Sequence, residues 1–216
     1  TKPPLDDARV RRALAYSIDR EALTRAVTKG GQEPALSFVP PNPNGYTSKA
    51  FMEFNIEKAQ QLLAEAGYPN GKGFPEIELS YNTLEAHQKI AVAIQQMWKK
   101  NLNINVRLQN QEWKVFLNNR KLKQYDISRS GWIGDYVDPF TFLELYTEGN
   151  PNNASGWKNA AYETAIRNST AAKTTEERFA YLQQAEAILL EEAPIIPLYF
   201  YSANYLMSSD VKGAYH

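Results

Sequence analysis

The sequence predicts a mixed α/β fold, a mostly parallel sheet flanked by helices. Three observations carry this. Strand-like runs stand at IELSYNT (77–83), INVRLQ (104–109) and YDISRSGW (125–132). Helical runs of crossover length, EAHQKIAVAIQQMWKKNL (85–102) and EWKVFLNNRKL (112–122), separate them, which suits parallel pairing through right-handed connections. Helical segments lie before and after this block, with no internal repeat or low-complexity tract. One α/β lobe accounts for residues 1–216.

The elements follow in order. Asp6 or Asp7 caps a first helix whose Val10, Ala13, Leu14, Ser17 and Ile18 form the apolar stripe. Arg9, Arg11 and Arg12 fall largely off that stripe and read as a solvated face rather than a DNA-binding one. Asp19 caps a second helix through Val27, closed by Gly30-Gly31. Residues 32–55 carry four prolines, Pro34, Pro40, Pro41 and Pro43. They read as a rigid surface excursion anchored by Phe38, Tyr46, Phe51 and Phe54, in preference to a proline-rich ligand. Asn55 caps a helix over 57–66 with an Ala59/Leu62/Leu63/Ala66 stripe, stopped by Gly67. After the strand–helix block, Asp138-Pro139 opens another helix. Two more follow, over 160–171 and 175–191; Arg178 three residues after Thr175 leaves no full capping box. The stretch IIPLYFYSANYLMS (195–208) reads as a strand or hairpin returning to the sheet.

Lys plus Arg and Asp plus Glu both total 24 in 216 residues, so no global field points to nucleic acid or an anionic membrane. There is no cysteine, which excludes disulfides and thiolate chemistry. His87 and His216 alone cannot build a His-rich zinc site, and no cofactor or metal is expected. No run approaches the ~20 apolar residues of a membrane-spanning helix. Aromatic residues reach 12% with 13 Tyr and 4 Trp, a mild sign of an apolar surface able to hydrogen-bond.

Ligands of open α/β sheets sit beyond the carboxyl ends of the strands, and two of those ends are chemically loaded. SYNTLEAH presents Asn82 and His87; SRSGWIGDY presents Arg129, Trp132, Ile133 and Asp135. If the two strands are neighbours, His87 and Arg129 approach each other. Acyl transfer through Ser128 or Ser130 with His87 lacks a nucleophile elbow. Asp135 and Asp138 as a glycosidase pair need not share a cleft, and Asp138 has a sufficient role as a helix cap. Asp135, Asp138 and Glu144 show no metal-loop spacing. A clamp remains: Asp135 for an ammonium, Arg129 and His87 for a carboxylate, with Trp113 and Arg120 lining space for side chains. A molecule with both charges is a peptide. The competing view pairs Arg129 and Asp135 with each other or with neighbours.

The order of DDARVRRALAYSIDREAL, EKAQQLLAEAGYPNGKGFPEIELSYNT, MWKKNLNINVRLQNQEWKVFL, YDISRSGWIGDYVDPFTFLELY and EEAPIIPLYFYSANYLM along nearly the whole chain resembles the periplasmic oligopeptide-binding proteins that feed ABC transporters. It is similar to their large ligand-binding lobe, of class II periplasmic-binding-protein type. The resemblance implies a non-enzymatic binder of short peptides. Asp135 would take the α-ammonium, Arg129 and His87 the carboxylate. Trp132 and Ile133 would offer backbone for strand addition, and Trp113 and Arg120 would line roomy side-chain pockets. It further implies ABC permease partners, a missing N-terminal lobe of the same protein, and a periplasmic or lipid-anchored extracellular location. Dipeptides, murein peptides and metal chelates are the alternative ligands. The pattern departs at Ile133, where relatives can carry a disulfide-forming cysteine.

Overall fold

A computed structural model describes residues 2–208 and 210–213; His216 lies outside them. Helix α1 (Ala8–Tyr16) begins at Asp7, whose side chain accepts from the Arg9 amide. Arg9 is exposed, as a solvated face requires, but Arg11 and Arg12 are largely covered. Arg9 donates to the Glu65 carbonyl, Arg11 to that of Glu192, and Arg12 pairs with Glu191. Each guanidinium therefore sits at the electronegative end of another helix, where cations are favoured.

Asp19 caps α2 (Arg20–Ala22), which widens into a π-helical turn over Leu23–Thr28. The left-handed residue that ends it is Lys29, at φ 55°, one position before the expected glycines. Arg20 is wholly buried and donates to the carbonyls of Pro197, Ala15 and Ile18. Burial lowers its pKa to about 10.

Strands β2 (Ile77–Asn82), β3 (Val106–Gln111) and β4 (Ile127–Ser128) form a parallel sheet in the order β3-β2-β4. Helix α4 (Glu85–Leu102) joins β2 to β3, and α5 (Trp113–Lys121) joins β3 to β4. Strand β3 lies two residues later than its alternation suggests. Its partner β2 begins at Ile77, opposite Val106, just after Pro75, which has no N–H to give. Only two residues of 125–132 pair, beside Leu79 and Ser80. The stretch 195–208 does not return to this sheet. Within it β5 (Tyr199–Phe200) pairs antiparallel with β1 (Glu33–Pro34) in a separate ladder.

One core cluster packs α1, α3 (Ile56–Glu65) and α4 against β2 and β3, around Trp98, whose indole N–H donates to the Leu14 carbonyl at 2.9 Å. Another surrounds α6 (Phe140–Leu143), α7 (Ala160–Ala171) and α8 (Thr175–Glu192). The cap of α8 is Thr174, not Thr175. Its hydroxyl accepts from the Glu177 amide and Glu177 reaches back to the amide of Lys173, just before the cap, so a reciprocal cap related to the box exists where the sequence reading, starting from Thr175, found none.

The excursion 32–55 is anchored by Phe38 and fully buried Tyr46, whereas Phe51 and Phe54 are exposed. Its main tie is polar. Fully buried Glu186 on α8 accepts from the Phe38 and Val39 amides (2.9 and 2.8 Å) and from the Tyr46 and Ser48 hydroxyls (2.8 and 2.6 Å).

Candidate functional site

Parallel pairing sends the carboxyl ends of β2, β3 and β4 to one edge. Asn82 aligns with Gln111, while Ser80 aligns with Ser128. The same edge therefore receives Asn82 and the first turn of α4 with His87. It also receives Trp113 at the start of α5 and the loop 129–135 that follows β4. The Arg129 amide continues the ladder for one residue by donating to the Ser80 carbonyl at 2.8 Å, so the side chains beyond it start from a defined register.

A cavity of about 820 Å³ opens at this edge and runs back between β4 and residues 193–201. His87, Arg120, Arg129, Trp132 and Ile133 line it; Asn82, Trp113 and Asp135 do not. Trp113, at the start of α5, is 49% exposed and stacks at 6.1 Å on Phe116. On the opposite turn of α5 the Arg120 guanidinium lies 5.9 Å from the same ring and donates to the Ser130 hydroxyl at 2.9 Å. Ile133, at 77% exposure, leaves an apolar side chain in water.

The two carboxylates of the GDYVD stretch part company. Asp138 receives two bonds from Arg178 (2.9 and 2.7 Å) and one from the Phe140 amide (2.9 Å). Burial raises its pKa, but these bonds outweigh that and hold it below the usual carboxylate value. Glu144 accepts from the Tyr136 hydroxyl at 2.8 Å. Neither is free to join Asp135 in a metal site or an acid pair. Asp135 is exposed, and only its amide is engaged, donating to Thr141 Oγ1 at 3.1 Å. Its carboxylate has no partner among the described residues, and Arg129 pairs with neither it nor another acid. Ser128 donates to the Arg129 carbonyl and Ser130 is held by Arg120, so no bond links either serine to His87.

Arg129 Nη2 donates instead to the Tyr201 hydroxyl at 2.7 Å. His87 lies close enough to feel that cation. Burial, then Arg129, lowers the imidazole pKa, with the Asn82 backbone opposing them. Five buried polar atoms at this edge lack a protein partner among the described residues: Asn82 Oδ1, His87 Nδ1, Gln111 Oε1, Arg120 Nε and Trp132 Nε1. Buried polar groups are almost always satisfied, so five at one edge single it out as a candidate binding region.

Sequence reasoning missed Tyr199, Tyr201 and Gly131. The signal was Y-x-Y in an extended segment, which puts both tyrosines on one face.

A family model described as the bacterial extracellular solute-binding proteins, family 5, middle region, matches residues 1–154. The oligopeptide-binding protein OppA of Bacillus subtilis is 38% identical over 97% of this chain and 40% of its own length. The periplasmic murein peptide-binding protein MppA of Escherichia coli is 41% identical over 98% and 40%. The crystal structure of Haemophilus influenzae OppA in complex with the peptide RPPGFSPFR superposes with a TM-score of 0.83 at 35% identity, covering 93% of this chain and 40% of that one. The chain thus spans about 40% of the length of the curated relatives it matches.

Proposed function

The chain belongs to the bacterial extracellular solute-binding proteins of family 5, and from that footing we propose that it is one α/β ligand-binding lobe of a longer protein that binds short peptides for an ABC importer. The observation that carries this reading is a division of charge at one sheet edge. The Asp135 carboxylate is unpartnered on the loop after β4, while Arg129, Arg120 and His87 gather at the cavity. An ammonium meets Asp135; a carboxylate meets Arg129, whose planar fork suits it, with His87 beside it. Trp132 and Ile133 offer backbone to an extended chain, Trp113 and Arg120 line side-chain space, and Asn82 offers its amide oxygen. A second lobe closes over the peptide by hinge motion and the closed form docks on the permease in the periplasm or outside the cell. No bond is made or broken.

Calorimetric titration of the intact protein with di-, tri-, tetra- and penta-alanine tests the proposal. Saturable binding of the longer peptides is expected, and no binding across the series contradicts it. Preference for dipeptides would move the ligand toward the other peptide classes named among the relatives.

His87 supplies a second expectation. A peptide carboxylate arriving beside the imidazole favours its charged form and raises the lowered pKa. In the window just below the ordinary value of 6.5 binding therefore takes up protons, and affinity rises as pH falls. Titrations in buffers of different ionisation enthalpy read this directly. His87→Gln abolishes the uptake; uptake that survives the substitution contradicts the placement of the carboxylate.

A further inference from the structure

We propose that Tyr201 is a positioning residue for Arg129, holding the guanidinium at the carboxylate-recognising end of the cleft. The inference rests on the reading of Arg129 as the carboxylate partner and adds a residue from a distant part of the chain. The bond from Arg129 Nη2 to the Tyr201 hydroxyl, at 2.7 Å, bridges 72 residues of sequence. It joins the loop after β4 to the segment after β5, two regions that share no backbone ladder. Arg129 has no carboxylate partner among the described residues, so this neutral hydroxyl fixes one nitrogen while leaving the positive charge uncompensated. An acid in the same place would fix the arginine equally well and quench it.

The surroundings are built for that contact. A Cβ placed on Gly131 would overlap the Tyr201 hydroxyl and come within 3.4 Å of Arg129 Nη2. The glycine is therefore needed for close approach rather than for an unusual φ. Tyr199 packs edge-on against Tyr201, with ring centroids 5.8 Å apart, which restrains the tyrosine from its other side. Burial raises the Tyr199 pKa and the Arg129 guanidinium opposes that rise. Tyr201 and Arg129 both line the cavity with His87. A long arginine side chain loses much rotamer freedom when it is held for use. Fixing it beforehand moves that cost from the binding step to folding.

The test uses the intact protein and four probes: tri- and tetra-alanine, each as the free acid and as the C-terminal amide. In the unsubstituted protein the acid binds more tightly than the amide. Tyr201→Phe keeps the ring packing and removes the hydroxyl. It weakens binding of the free acid roughly tenfold, leaves the amide within about twofold, and adds nothing further when combined with Arg129→Gln. Loss of affinity for acid and amide alike overturns the proposal, since a purely structural defect does not distinguish them. So does full retention of the acid preference in Tyr201→Phe. If the unsubstituted protein itself binds acid and amide equally, the assignment of Arg129 to the carboxylate falls first and the role of Tyr201 falls with it.

Discussion

Asp135→Asn in the intact protein lowers affinity for free-amine peptides on the order of 100-fold, within the roughly 2–5 kcal/mol lost when one partner of a hydrogen-bonded charge pair is removed. Two features of the site set that scale. The carboxylate has no partner to give up among the described residues, so there an incoming ammonium competes with water. On the proposed reading, a second lobe closing over the site would strengthen the pair by lowering the local dielectric. Because the exposed carboxylate has no hydrogen-bond or ion-pair partner among the described residues, the substitution leaves thermal stability close to that of the parent, as for other surface changes. Asp138→Asn is the natural control, with the pattern reversed. It removes the charge and turns one acceptor oxygen into an NH2 group, so the two-pronged pairing with Arg178 is lost while the remaining oxygen can still accept from the Phe140 amide; stability falls. Equal losses of affinity from the two substitutions would mean that the loop as a whole, not the Asp135 charge, holds the ligand.

The largest expected effect on stability belongs to Glu186→Ala. Four donors lose their acceptor at once: the Phe38 and Val39 amides and the Tyr46 and Ser48 hydroxyls. All converge on a side chain that is 0% exposed. Stranding buried donors costs about 1–3 kcal/mol each, and the penalties overlap in a shared network. A net loss of roughly 3–5 kcal/mol follows, which lowers the melting temperature by about 10 °C in a chain of this size. Melting followed by circular dichroism checks it. A shift under about 2 °C would mean that the aromatic contacts of Phe38 and Tyr46 secure the excursion without the carboxylate.

Much of the sheet was legible because its signals are local. Helix α4 spans Glu85–Leu102, the same run that its periodicity marks. The parallel order of β2, β3 and β4 followed from the crossover helices between them. Arg129 and His87 come to one edge because each follows the carboxyl end of one of two paired strands; the alternation put both at strand ends, while the pairing of β2 with β4 was left open by the sequence. The misses are long-range. The capping role of Asp138 was legible from Asp138-Pro139 and is met by the Phe140 amide, but its pairing with Arg178, 40 residues away, was not. In sequence Glu186 is one glutamate in an ordinary helix; only a loop 138 to 148 residues distant buries it. Arg11 and Arg12 of α1 looked solvated for the same reason, their partners being the Glu192 carbonyl and the Glu191 carboxylate far along the chain. Tyr201 is the functional case: its bond to Arg129 crosses between two ladders, and no local periodicity reports such a crossing. The short strands β1, β4 and β5, of two residues each, lie below the length at which alternation is informative.

The central claim is that an ammonium–carboxylate pair at Asp135 anchors the peptide. The direct measurement is a double cycle on the intact protein, with free and N-acetylated tri-alanine titrated against the parent and against Asp135→Asn. Acetylation removes the ammonium and the substitution removes the carboxylate. The expected result is strong coupling: acetylation weakens binding to the parent on the order of 100-fold and changes binding to Asp135→Asn by less than about threefold. Additive losses, or equal binding of free and acetylated peptide by the parent, would show that Asp135 is not the anchor.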